Sequence, residues 1–253
     1  METYFLQIEN LDIFDQLKIE EAFLRTSDKN LVIINIGSSE KIVLGISSNV
    51  DELINVQEAI KKSVPAIRRY SGGGTVVVNQ ETIFVTFIFN HEELNLDPYP
   101  QKIMEWSAKF YSPLFENLDF ALKENDYVIG SKKFGGNAQY LTKKRFVHHS
   151  TLLYEINPDL MNVLKLPRKA PIYRENRGHQ DFLTSLNSLF ASKKIFADRL
   201  IDCIRCHMEI VPVELSTLNQ YLNRPHRMST QTINLSNFLH SDLLNQIDQK
   251  MLV

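Results

Sequence analysis

Ala66-Ile67-Arg68-Arg69-Tyr70-Ser71-Gly72-Gly73-Gly74-Thr75-Val76-Val77-Val78 runs from one short extended segment, through three consecutive residues without side chains, into a second extended segment. Three missing Cβ atoms let backbone N–H groups approach a ligand closely and form a concavity suited to an anion, and Arg68 and Arg69 add fixed positive charge beside it. A plain hairpin turn has the same outline. The arginine pair and Ser71 favour a site for a phosphate or carboxylate. The common phosphate loops are both absent, since no Gly-Lys-Ser/Thr follows and no GxGxxG occurs.

Around this stretch the chain alternates β-branched runs with amphipathic segments as far as about residue 156, which predicts an α/β (α+β) fold of mixed β-sheets covered by helices. Strands are expected at Tyr4–Ile8, Leu31–Ile36, Lys41–Ile46, Ala66–Arg69, Thr75–Val78, Ile83–Phe89, Asp126–Ile129 and His149–Tyr154, with Glu209–Val213 as a further candidate. Core-facing helices fit Leu11–Arg25, Asp51–Lys62 and Lys102–Leu118. Leu164–Gly178 is basic and proline-bearing, as an active-site flap would be. From about 180 the pattern turns mostly helical, over Gln180–Phe190, Lys194–His207, Val213–Asn223 and Leu235–Met251, with Arg224–Asn234 as an extended linker. The roughly 20 residues beyond it are too few for a further core, so one catalytic domain over 1–253 with no separate C-terminal accessory domain is expected.

Nine glycines occur in the chain, and six fall in two places. The second is Asn125-Asp126-Tyr127-Val128-Ile129-Gly130-Ser131-Lys132-Lys133-Phe134-Gly135-Gly136-Asn137-Ala138, followed by His148-His149-Ser150-Thr151-Leu152-Leu153. A lysine between two glycine-bearing turns is held by backbone and can act as a positioned point charge against a carboxylate or phosphate. The bland alternative is a solvated Lys132-Lys133 pair.

Arg68 to Val77 resembles the RRxSGGGxV signature of lipoate–protein ligases. Asn125 to Ala138 with His148 to Leu153 is similar to their second signature, NDxxxxGxKxxGxA followed by HHGTLL, and weaker similarity covers about residues 10–210, including Glu20-Glu21-Ala22-Phe23-Leu24 and Ile42-Val43-Leu44-Gly45. The resemblance implies the class II synthetase-like catalytic domain of biotin/lipoate ligases. It implies that Lys133 is the catalytic lysine, touching the lipoate carbonyl and the phosphate, whereas Lys132 occupies a position that needs no lysine. Arg69, Gly74, Thr75, Val76, Val77, Asn125 and Asp126 would join Lys133 around ATP or the adenylate. Ser71, Gly72, Gly73, Gly136, Ala138 and His149 would hold lipoate. Magnesium is expected on ATP near Asp126, without a protein cage of its own. The departures are Val78-Asn79 and Glu81-Thr82 where relatives often have His-Asp and Gly-Asn, Gly45-Ile46-Ser47-Ser48-Asn49 for Gly-Arg-x-Gln-Asn, Gly135 for serine and Ser150 for glycine.

Composition agrees with a soluble enzyme: 43% apolar, 23% charged, and a net charge of −2, which leaves no global basic field for nucleic acid or an anionic membrane. Neither an export signal nor a membrane span is legible, so the cytoplasm is expected. Cys203-Ile204-Arg205-Cys206-His207 matches the pentapeptide of c-type haem attachment and a CxxC redox pair. No export signal supports the first reading, the predicted helix around the cysteines argues against the second, and a zinc site lacks a second Cys/His pair. Two buried helix cysteines are expected. His148 and His149 alternate in a strand, so at most one faces the pocket.

The resemblance therefore implies ATP-dependent attachment of lipoate, through lipoyl-AMP, to a lysine of lipoyl domains of 2-oxoacid dehydrogenase acyltransferases or of the glycine-cleavage H protein, with help in adenylation from a separate accessory protein as one expectation. The alternatives are ATP-independent octanoyl transfer, which needs a pocket cysteine that neither motif supplies, and a non-catalytic adenylate- or carrier-binding module. A biotin ligase lacks support because no GRGRxGRxW-type motif is present.

Overall fold

The computed structural model describes residues 2–167 and 170–239. In chain order the elements are β1 (Glu2–Glu9), α1 (Ile13–Thr26), β2 (Asn30–Ile36), β3 (Lys41–Leu44), α2 (Val50–Leu53), α3 (Val56–Lys61), β4 (Ala66–Arg68), β5 (Val76–Val78), β6 (Thr82–Asn90), α4 (Pro100–Tyr111), β7 (Phe120–Lys123), β8 (Asp126–Ile129), β9 (Lys132–Leu141), β10 (Arg145–Leu153), α5 (Pro158–Met161), α6 (His179–Phe182), α7 (Lys193–His207), β11 (Glu209–Pro212), α8 (Leu215–Asn219) and β12 (Gln231–Ile233). The strands form one eight-stranded mixed sheet, ordered β11-β1-β2-β6-β10-β9-β8-β7, and one four-stranded sheet, ordered β12-β4-β3-β5.

Strand periodicity decides which residue enters which layer. In the continuous apolar run of β2, Val32, Ile34 and Ile36 join the core that α4 and α7 cover, while Leu31 and Ile33 point to the opposite core, shared with α1 and the small sheet. β6 divides likewise: Val85, Phe87 and Phe89 go to the first core, Phe84 and Ile88 to the second. A third cluster, with Ile42, Leu44, Val56 and Val163, lies on the far side of the small sheet under α2, α3 and α5. Full burial of a side chain such as Phe23 or Phe87 stabilises the fold by about 1.5–3 kcal/mol.

Asp12 caps α1 by accepting from Phe14 N. At the other end of α1, Arg145 donates to the carbonyls of Phe23, Leu24, Ser27 and Lys29, and so ties the helix to the strand that carries His149.

Several expectations need correction. Asp51–Lys62 is two short helices, because Ile54 leaves the helix to bridge Leu164 and Asn55 caps α3. The helix expected over Lys102–Leu118 ends at Tyr111 and tightens into a 3₁₀ turn over Ser112–Phe115, which contains Pro113. Gln180–Phe190 is no single helix, since Leu183 pairs with Lys133 and only Leu186–Ser188 recoils. Arg224–Asn234 contains β12, which pairs with β4. Leu235–Phe238 is a 3₁₀ turn, and the rest of the helix expected there lies, from residue 240, outside the described residues.

The largest difference concerns β9, which passes straight through Gly135 and Gly136. Only Gly130, at φ +62°, makes a turn. A Cβ on Gly135 would stand 2.8 Å from Leu152 Cδ2 and 3.1 Å from the Tyr127 ring, so this glycine serves close packing inside the sheet rather than chain reversal.

Candidate active site

A cavity of about 680 Å³ opens between the second face of the large sheet, α1 and the small sheet. Its wall is apolar where Ile13, Leu17, Val43, Val78 and Phe84 meet. Two polar groups of residues interrupt it, one around Glu20 and His149 and one around Lys133.

The glycine loop is shaped from within. Arg69 is 4% exposed, and its guanidinium donates to Ser71 Oγ at 3.1 Å, Gly72 O at 2.8 Å, Gly74 O at 2.7 Å and Val43 O at 3.3 Å. Burial pulls it down to about 10, which still leaves it charged at neutral pH. Arg68 spends Nη1 on the carbonyls of Gly45, Ile46 and Ser48. Arg69 thus stabilises the glycine loop through its carbonyls while Arg68 ties down the neighbouring 45–48 turn, and the loop's N–H groups are left for a ligand. Gly73 has φ +101°, and a Cβ there would come within 2.9 Å of Arg69 Nη2 and 3.2 Å of Ala138 Cβ, whereas one on Gly74 would meet nothing within 4 Å. Gly72, Gly73, Gly74, Thr75, Val76 and Val77 all line the cavity.

Behind the loop lies a buried hydrogen-bonded chain. His149 Nε2 is 2.8 Å from Ser71 Oγ, and its Nδ1 is 3.1 Å from Glu20 Oε2. Glu20 also accepts from Gln16 Nε2 at 2.8 Å, Thr86 Oγ1 at 2.7 Å and Tyr70 OH at 3.3 Å. A carboxylate surrounded by donors orients the imidazole, with a proton on the Nδ1 that faces Glu20 and Nε2 turned to the Ser71 hydroxyl. Register explains the meeting: His149 stands opposite Thr86 on β6 and Ala138 on β9. His148 points to the other face, against Tyr127 OH at 3.1 Å. Burial, with His149 second, pulls it to about 3 and keeps it neutral. The alternation argument from sequence holds.

The second polar group is built on β8 and β9. Lys133 Nζ lies 2.8 Å from Asp126 Oδ1, and Tyr173 OH donates to Asp126 Oδ2 at 2.8 Å. Gly136 leaves room for the ammonium group, since a Cβ there would stand 3.2 Å from Nζ. Lys132 is exposed and does not line the cavity. Asn125 lines it, and its carbonyl accepts from Asn137 Nδ2 at 3.0 Å. Asn137 is oriented in turn by Ser150 Oγ at 2.7 Å. Among the described residues no group of three or more His, Cys, Asp or Glu is placed to hold a metal ion. Both oxygens of the Asp126 carboxylate are already engaged, one by Lys133 Nζ and the other by the Tyr173 hydroxyl.

Sequence reasoning missed Gln16, Glu20, Thr86, Arg174 and His179 as cavity residues, together with Tyr173, which does not line the cavity but holds Asp126. The spacing Gln16, Leu17, Glu20, Leu24 puts these polar residues on the buried stripe of α1, which is a legible signal. Leu164, Pro167, Ala170, Pro171 and Arg174 of the expected flap do line the cavity. Cys203 is buried and donates to Phe110 O, Cys206 is exposed, and neither lines the cavity. No described helix is long and apolar enough to cross a membrane.

Residues 12–209 match the family model of the lipoyl protein ligase A/B catalytic domain. Among curated relatives, the inactive lipoate–protein ligase 2 of Plasmodium falciparum is 29% identical, over 80% of this chain and 69% of its own length. A probable lipoate-protein ligase A of Mycoplasma pneumoniae is 30% identical over 61% of this chain and 46% of its own. The lipoate-protein ligase LplJ of Bacillus subtilis is 27% identical over 64% and 50%. The chain spans about half the length of these last two. A lipoate-protein ligase A solved with bound ATP superposes with a TM-score of 0.71 at 18% identity, covering 88% of this chain and 95% of that one. The bipartite lipoate protein ligase of Thermoplasma acidophilum gives 0.70 at 18%, over 88% and 93%. At such identities the likeness is one of fold.

Proposed function

Because the chain belongs to the lipoyl protein ligase A/B catalytic-domain family, we propose that it activates lipoate with ATP and passes the lipoyl group to a lysine of a lipoyl carrier domain. The observation that carries this reading is Lys133, held by Asp126 at the wall of an apolar-walled cavity whose rim is the glycine loop. In the first step a lipoate carboxylate oxygen attacks the α-phosphorus of magnesium-bound ATP, forming the mixed anhydride and releasing pyrophosphate. In the second step the neutral ε-amine of the carrier lysine attacks the acyl carbon, the amide forms, AMP leaves with the bonding electron pair, and the amine's proton passes to solvent.

In both steps negative charge grows on oxygens close to the carbonyl and the phosphate. Lys133 and the loop N–H groups would stabilise it, and one such donor contributes about 2.7–4 kcal/mol in well-studied enzymes. Arg69, Gly74, Thr75, Val76, Val77, Asn125 and Asp126 are assigned to the nucleotide side, and Ser71, Gly72, Gly73, Gly136, Ala138 and His149 to the acyl side. Lipoyl domains fit as the partner because the Thermoplasma ligase was solved together with its E2 lipoyl domain.

One observation favours a second reading, transfer from lipoyl-adenylate made elsewhere. At the β5–β6 turn, Val78 faces the cavity, while Asn79 and Glu81 do not line it, and Glu81 is tied to Lys193 at 3.0 Å. The turn therefore offers no polar side chain to a nucleotide. The Plasmodium relative, which matches over 80% of this chain, also carries the word inactive in its name. Neither cysteine lines the cavity, which weighs against thioester chemistry. Pyrophosphate release from ATP and lipoate, compared with transfer from synthetic lipoyl-adenylate, separates the two: the first reading expects both, the second only transfer.

A further inference from the structure

The segment Ile172–Phe182 brings two polar side chains, with Phe182 beside them, to the cavity that Lys133 lines, and neither glycine-bearing motif contains them. It is fastened at four points: Ile172 N donates to Glu124 Oε1 at 2.6 Å, Tyr173 OH to Asp126 Oδ2 at 2.8 Å, Arg177 Nη1 to Ser131 O at 3.1 Å, and Thr184 N, just beyond α6, to the carbonyl of Lys133 itself at 2.8 Å. Arg174 and His179 from this segment line the cavity with Lys133 and Asp126.

His179 is unusual in its hydrogen bonding. Arg174 Nη2 lies 3.4 Å from its Nδ1, and a guanidinium can only donate, so Nδ1 is the acceptor and the neutral ring carries its proton on Nε2. That Nε2 is sealed from solvent and has no hydrogen-bond partner among the described residues. Burial first, then the charges of Arg174 and Lys133, hold the imidazole below its ordinary value, so it stays a neutral donor at neutral pH. Arg174 is itself fixed, its Nε donating to Arg177 O at 2.8 Å and its guanidinium lying over the Phe182 ring. A buried N–H without an acceptor, next to two cationic side chains, is a place for an anionic oxygen.

We propose that His179 Nε2–H donates to a phosphate oxygen of the acyl-adenylate beside Lys133, and that Arg174 is a positioning residue that fixes the tautomer. This rests on the ligase reading given above. It assigns His179 a role in the phosphate contact rather than in the acyl chain, because its charged neighbours are Lys133 and Arg174, while the acyl side is served by His149.

Calorimetric titration tests it, with a lipoyl-adenylate analogue whose phosphate is replaced by a non-hydrolysable sulfamate, and with lipoate alone as the second ligand. His179→Ala should bind the analogue about tenfold or more weakly, as expected for a lost hydrogen bond to a charged group, and lipoate as wild type does. His179→Gln, whose amide N–H₂ can occupy the place of Nε2–H, should recover most of the affinity. The ¹⁵N spectrum of the free protein should show His179 as the Nε2–H tautomer, with that nitrogen shifting on addition of the analogue. Unchanged analogue binding in His179→Ala, equal loss for both ligands, or an Nδ1–H tautomer would overturn the assignment. Failure of the wild type to bind the analogue at all would instead remove the ligase reading, and this assignment with it.

Discussion

Lys133 Nζ stands 2.8 Å from one oxygen of Asp126, and the other oxygen of that carboxylate accepts the Tyr173 hydroxyl at 2.8 Å, so the lysine is held at the cavity wall by a group that is itself pinned. The backbone secures the same residue from the other side through Thr184 N and the Leu183 bridge. A flexible four-carbon stem thereby gains a defined end point, which is what charge stabilisation of a developing oxyanion requires. Burial beside Asp126 pushes the Tyr173 phenol up, so it remains a hydrogen-bond donor throughout the working pH range.

Lys133→Ala should lower lipoyl transfer by about 10²–10³ and leave the thermal transition close to that of the wild type, since the side chain is placed by polar contacts and not by core packing. Lys132→Ala, at an exposed position off the cavity, should stay within about twofold. Comparable losses in the two variants would contradict the role given to Lys133.

Gly73→Val should abolish binding of a lipoyl-adenylate analogue. The branched side chain meets Arg69 Nη2 and Ala138, and φ +101° is strained for any residue with a Cβ. Gly74→Ala, with open space around its Cβ, should bind with only a modest change. Titration of the pair against wild type reads the contrast, and equal behaviour of the two variants would return the loop to being a simple turn.

Glu20→Ala should destabilise the protein by about 2–4 kcal/mol in urea unfolding, because Gln16, Thr86, Tyr70 and His149 would all lose a buried acceptor at once. A cost below about 1 kcal/mol would show that the network is not a structural support for the cavity.

Stability should fall on acidification in part through Asp12. Burial would raise its carboxyl, but hydrogen bonds from Lys41, Ser39 and the Phe14 amide outweigh this and hold it below the usual carboxylate value. A depressed folded-state value contributes stability that is fully present above the unfolded value, near pH 3.9, and is lost as the pH falls through the lower folded value. Asp12→Asn should therefore flatten the stability profile on the acid side of pH 5, and an unaltered slope in urea titrations there would contradict the assignment.

The sequence made the two glycine-bearing segments and their chemistry legible because loops that approach a ligand must shed Cβ atoms, and that depletion is visible in one dimension. It also showed the α/β alternation, since β2 and β6 are apolar on both faces and so read as buried strands. It did not show that β9 runs through Gly135 and Gly136, because glycine required by a neighbour across the sheet looks the same as glycine required by a turn. Arg68 and Arg69 read as ligand-facing charge, whereas the carbonyls that absorb them belong to Gly45 and Val43, more than twenty residues away, and to Gly72 and Gly74, which turn back on Arg69 only in the folded loop. Glu20 left a trace, as a polar residue on the buried stripe of α1, but its partners Tyr70, Thr86 and His149 come from 50, 66 and 129 residues away, and His179 lies in a segment with no period of its own.

The central claim is tested most directly by intact-mass measurement of a lipoyl carrier domain after incubation with the protein and lipoate, with and without magnesium and ATP, beside a reaction given synthetic lipoyl-adenylate. The account predicts one lipoyl adduct on the carrier lysine, formed with ATP and magnesium and lost in Lys133→Ala. An unmodified carrier domain under every condition, including preformed adenylate, would contradict it.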